Sequence, residues 1–100
     1  MKEPLVLYTV ADRIATLTLN RADKRNALSP EMVTLLTEKF NEAADDEEVK
    51  VIILKANGNT FSAGADLAYL QQLQNFTYEE NLSDSRNLKT LFTTIYYLPK

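Results

Sequence analysis

Residues 51–54 read Val51-Ile52-Ile53-Leu54, four large apolar side chains without a break, inside a stretch that runs from Val49 to Lys55. Three of the four are β-branched, and a short continuous apolar run with polar flanks is the pattern of a strand covered on both faces of a parallel sheet. A parallel strand needs a crossover before it, so the reading works back upstream. Ser29-Pro30-Glu31 is a strong helix start, with serine to cap, proline at the first helical position and an acid near the positive end of the dipole. Val33, Leu36, Phe40 and Ala43, with Met32 alongside, then recur at three- and four-residue steps and line one face. The helix is predicted to run to about Ala44, where Asp45-Asp46-Glu47-Glu48 closes it as a solvated turn.

Further upstream, Leu5 to Val10 and Ile14 to Leu19 alternate large apolar residues with small or polar ones, and Ala11-Asp12-Arg13 connects them, which predicts a β-hairpin. Asn20 to Leu28 is polar and follows neither period. Hairpin, helix and buried strand make a βαβ unit with a right-handed crossover, so the class is α/β. Downstream, Asn57-Gly58-Asn59 is turn chemistry and the loop continues to Gly64. A short helix is predicted from Asp66 to about Gln74. A longer one is predicted from about Ser83 to Tyr97, with Leu88, Leu91, Phe92 and Ile95 on one stripe and Pro99 ending it.

Composition narrows the chemistry. The 100 residues are 45% hydrophobic and 25% charged, as in an ordinary globular domain. The net charge of −3 is mixed along the chain with no long run of one sign, which argues against a nucleic-acid partner. There is no cysteine and no histidine, so disulfides, thiolate nucleophiles and the commonest metal ligands and general bases are excluded and no metal site is expected. The first residues lack a secretory pattern and no apolar run approaches the ~20 residues that span a bilayer, so a cytoplasmic chain with no membrane partner is expected.

The loop Phe61-Ser62-Ala63-Gly64-Ala65-Asp66-Leu67 leaves the carboxyl end of the buried strand, where ligands usually sit in open α/β sheets. The only two glycines, Gly58 and Gly64, fall in this connection. Gly64 between two alanines lets a ligand approach the main chain, and free N–H groups near Ala65 and Asp66 favour an anionic oxygen. A purely structural alternative is a tight strand-to-helix turn with Asp66 as its cap.

Several motifs in order resemble the enoyl-CoA hydratase/isomerase (crotonase) family: the hairpin ending Leu17-Thr18-Leu19-Asn20-Arg21, then Asn26-Ala27-Leu28-Ser29, the strand Val51-Ile52-Ile53-Leu54, and the Phe61–Leu67 loop. The resemblance implies a crotonase-like (ClpP/crotonase) fold. Residues 1–100 would be the N-terminal part of one domain, with the sheet incomplete and the C-terminal remainder absent. It implies acyl-CoA thioester chemistry of fatty acid metabolism, by a lyase or isomerase, in which two backbone N–H groups bind the thioester oxygen and stabilise an enolate. Carried over by position, Ala65 would give the first N–H of that oxyanion hole. Ala63 would lie near the CoA adenine, Ala27 with neighbouring Lys24 and Arg25 would border the nucleotide part, and Gly64 would be among the CoA-binding residues. Asp66, Leu67 and Ala68 would continue the CoA-contacting wall. Coenzyme A is then part of the substrate and no separate cofactor is expected, while the complete protein would form a homotrimer or hexamer.

Two departures bear on this. Many relatives have lysine where this chain has Ala68, and Lys24 and Arg25 could replace that contact. The second oxyanion N–H and the catalytic glutamates of the hydratases fall beyond Lys100, so these residues alone are expected to be inactive. Glu79, Glu80 and Asp84 read as solvated carboxylates, and Tyr69, Tyr78, Tyr96 and Tyr97 as packing residues, Tyr69 with a possible acyl contact. The competing readings are a non-catalytic acyl-CoA-binding or interaction module, and a chain that pairs through its unfinished sheet.

Overall fold

Alternation in the first two segments produces a hairpin, β1 (Val6–Ala11) and β2 (Ile14–Leu19), in antiparallel register with Ala11 opposite Ile14. That register leaves a two-residue turn, so Ala11 belongs to the strand and not to the connection. Asp12 and Arg13 both have left-handed φ, 52° and 68°, as a type I′ turn demands. Only the second lacks a side chain suited to that region. Arg13→Gly is therefore expected to raise stability by about 0.5–1 kcal/mol, read as a higher urea midpoint at unchanged slope.

The computed structural model describes residues 4–64, 71, 75 and 77–100. Among them helix α1 (Pro30–Asp45) starts where the sequence indicates: the Ser29 hydroxyl accepts from the Met32 N–H at 3.3 Å, and Pro30 occupies the first helical position. Its buried face is Met32, Val33, Leu36, Phe40 and Ala43, the five residues expected from the spacing. After a turn in which the Glu48 N–H bonds the Asp46 carboxylate at 2.9 Å, β3 (Val51–Ala56) returns parallel to β2, with Leu54 opposite Leu17. The sheet order is β1-β2-β3.

Register decides which side chains meet the helix. Ala15, Leu17 and Leu19 of β2 are buried, and their neighbours Ile52, Leu54 and Ala56 across the ladder pack against the same cluster. Alternation sends Val51 and Ile53 to the other face, where they are 51% and 43% exposed. Here the structure corrects the expectation of a strand covered on both faces. β3 is the edge of the described sheet and only its helix side is covered. Tyr8 of β1 lies on the helix side, with the Lys39 Nζ 5.3 Å from its ring centroid. Burial, then the Glu42 and Asp46 carboxylates, push its hydroxyl above the ordinary tyrosine value.

The long helix, α2 (Tyr78–Tyr97), begins five residues earlier than its apolar stripe suggests. Thr77 caps it reciprocally: its hydroxyl accepts from the Glu80 N–H and the Glu80 carboxylate accepts from the Thr77 N–H, both at 3.1 Å. Helix α2 packs along α1, and of the expected stripe only Leu91 is buried. Leu88, Phe92 and Ile95 are exposed, as are Tyr78, Tyr96 and Tyr97 at 75–80%, so these three tyrosines are not packing residues. One flank of α2 meets α1 and the rest faces outward. The short helix expected over Asp66 to Gln74, and Tyr69 within it, lie outside the described residues. Past α2, the Lys100 ammonium donates to the Ala43 and Asp46 carbonyls at 3.0 and 2.7 Å, placing a cation at the negative end of α1.

Candidate functional site

At the carboxyl ends of β2 and β3 two irregular segments run side by side. The first follows β2: a 3-10 turn over Ala22–Lys24, then Arg25 and Asn26, both with φ of 55°. The second follows β3 as Asn57–Gly64. Two successive left-handed residues reverse the chain, and asparagine is among the few side chains that adopt this conformation readily.

Asn26 joins the two segments. It is fully buried, and every polar atom of its side chain is used. Its Oδ1 accepts from the Arg21 N–H at 2.8 Å, and its Nδ2 donates to the Asn57 and Thr60 carbonyls, both at 2.8 Å. Its own carbonyl accepts from the Ser62 hydroxyl at 2.9 Å. A main-chain tie runs beside it: the Ala63 N–H donates to the Arg25 carbonyl at 2.9 Å, and the Leu28 N–H to the Gly64 carbonyl at 2.6 Å. The Ser62 hydroxyl also accepts from the Gly64 N–H at 3.1 Å. The Ala63 N–H, the Gly64 carbonyl and the Ser62 hydroxyl thus tie this loop to the segment that follows β2.

The two glycines do different work here. Both have φ of +89°. At Gly58 an added Cβ would lie 2.9 Å from the Ala22 Cβ, so glycine is needed for both conformation and close approach. At Gly64 an added Cβ meets nothing within 4 Å, which leaves an open side along that stretch of main chain. Gly58→Ala is expected to cost about 2 kcal/mol against about 1 for Gly64→Ala, the difference being the clash with Ala22. Paired chemical denaturation curves measure it.

Of the residues carried over from the resemblance, Lys24 and Arg25 are exposed, Ala27 is buried at 8%, Ala63 is exposed and Gly64 is half-buried. The structure brings Arg25, Ala63 and Gly64 to one junction through the bonds above, and Ala27 lies in the same segment between the bonded Asn26 and Leu28. Ala65, Asp66, Leu67 and Ala68 lie outside the described residues. A cavity of about 370 Å³ adjoins the junction, lined by Ala22, Arg25, Asn26 and the 57–60 turn. Glu80 is engaged in capping α2, and among the described residues no group of acidic side chains could hold a metal ion. Neither is any described helix long and apolar enough to cross a membrane.

The sequence reading missed the part played by Asn26. The residue stands in a quoted motif, but its partners are 31 and 34 positions away and no local spacing points to them.

Residues 14–100 match the family model for enoyl-CoA hydratase/isomerase. The chain belongs to the enoyl-CoA hydratase/isomerase family. It is 39% identical over 87 residues to a protein of Thermus thermophilus named as an enoyl-CoA hydratase, a match covering 87% of this chain and 34% of the relative. Among solved structures, an enoyl-CoA hydratase/isomerase (crotonase) of Legionella pneumophila is similar at 45% identity and a TM-score of 0.93, over 96% of this chain and 37% of that one. An enoyl-CoA hydratase of Shewanella pealeana is similar at 31% identity and a TM-score of 0.95, over 97% and 37%. The α/β arrangement described above is thus part of the crotonase fold. The chain spans about a third of the length of these members of the family.

Proposed function

We propose that this chain supplies the thioester-binding loop of an enzyme that acts on acyl-CoA substrates by stabilising an enolate on main-chain N–H groups, with Ala65 as the first donor. The observation that carries the reading is the double main-chain tie between Arg25–Leu28 and Ala63–Gly64. An oxyanion hole works through donors held in place before charge develops, so that no reorganisation is needed during the reaction. A loop tied down by two main-chain bonds and the Ser62 hydroxyl meets that requirement, and the small residues Ala63 and Gly64 keep its open side accessible. The exposed Lys24 and Arg25 suit the anionic nucleotide end of coenzyme A.

The acid/base step is assigned to residues beyond Lys100, where the family resemblance puts the catalytic glutamates of the hydratases. A homotrimer or hexamer of the complete protein belongs to the same reading. Titration calorimetry with acetyl-CoA and crotonyl-CoA, run beside a hydration assay, tests it. Saturable binding without turnover is expected. No heat up to millimolar ligand would overturn the binding role, and turnover by these 100 residues would overturn the assignment of the acid/base step.

A further inference from the structure

We propose that the Ser62 hydroxyl is a positioning group for the acyl-oxygen site: it fixes the orientation of Gly64 and is itself anchored on the buried Asn26. This deepens the functional reading above and rests on it. The hydroxyl makes two bonds in opposite senses. It donates to the Asn26 carbonyl at 2.9 Å and accepts from the Gly64 N–H at 3.1 Å. Asn26 is a rigid anchor, since its side chain is bonded to three main-chain groups and has no exposed surface. On its other side Gly64 is held by its carbonyl, which accepts from the Leu28 N–H at 2.6 Å.

Those two restraints act on consecutive peptide units. A peptide unit is planar, and in the trans form its N–H points opposite to its C=O. Gly64 directly precedes Ala65, to which the functional reading assigns the oxyanion donor, so the bond that holds the Gly64 carbonyl restrains the chain where it enters that position. The Gly64 N–H bond to Ser62 fixes the preceding unit, so the glycine cannot rotate between the two. That restraint is needed because Gly64 has no side chain to limit it, and its φ of +89° is one of many that glycine can adopt. Ser62 supplies by hydrogen bonding the order that glycine lacks.

The test compares Ser62→Ala and Ser62→Thr with the parent chain. Amide hydrogen exchange followed by NMR reads the loop directly, and binding of acetyl-CoA is compared with binding of coenzyme A itself. Ser62→Ala is expected to exchange about 10-fold faster at Gly64, and to bind acetyl-CoA about 5- to 10-fold more weakly, as for one lost hydrogen bond. Coenzyme A, which has no acyl oxygen, should change by less than about twofold. Ser62→Thr, which keeps the hydroxyl, should restore the parent values. Unchanged exchange at Gly64 in Ser62→Ala overturns the proposal, as does equal weakening of both ligands. If the parent binds neither ligand, the functional reading fails, and the positioning role for an acyl oxygen fails with it. The exchange data then report separately whether Ser62 holds the loop.

Discussion

Asn26→Ala is expected to remove about 3–5 kcal/mol of folding stability, a large share of the total for a domain of this size. The substitution deletes three hydrogen bonds at one buried point: to the Arg21 N–H, the Asn57 carbonyl and the Thr60 carbonyl. Each abandoned main-chain group costs about 1 kcal/mol or more when water does not replace the partner. Alanine must also sustain a φ of 55°, which adds about 1 kcal/mol. The expected observation is a large fall in the urea midpoint with an unchanged slope. A loss below about 1.5 kcal/mol would mean that water or loop movement satisfies the abandoned groups. Asn26→Asp sharpens the result. It keeps the shape and the acceptor for the Arg21 N–H but replaces the two-donor amide nitrogen with an oxygen facing the Asn57 and Thr60 carbonyl oxygens, so the variant should become more stable as pH falls and the carboxyl protonates.

Helix α1 was legible in the sequence because its signals are local. Ser29, Pro30 and the spacing of five apolar residues lie within one segment, and tertiary contacts merely select the face that the spacing already defines. The start of α2 is also written locally, as Thr77 with Glu80 three residues on, but the sequence reading places this helix by its apolar stripe, which begins later. For β3 the sequence was ambiguous in principle: an unbroken apolar run looks the same whether one face or both are covered, and only its register beside β2 shows that Val51 and Ile53 face outward. The site divided in the same way. Gly64 and its small neighbours stood out by residue type. The anchoring of their loop did not, because Asn26 reaches it through bonds that span 31 to 36 positions.

The two sides of the sheet should respond unequally to truncation. Leu17 has no exposed surface, sits on the central strand opposite Tyr8 on one side and Leu54 on the other, and faces the α1 cluster. Leu17→Ala removes its methyl groups from a fully buried position on the central strand, where two hydrogen-bonded neighbours prevent the backbone from collapsing into the space. A loss of about 3–4 kcal/mol is expected. Ile53 belongs to the same sheet and is just as apolar, yet it is 43% exposed on the uncovered side. Ile53→Thr keeps the β-branch and gives up only the buried part of the side chain, so about 0.5–1 kcal/mol is expected. Urea unfolding of the two variants against the parent measures the contrast. Comparable losses at both positions would show that the Val51 and Ile53 face is covered in solution, by a second copy of the chain if the loss at Ile53 grows with protein concentration.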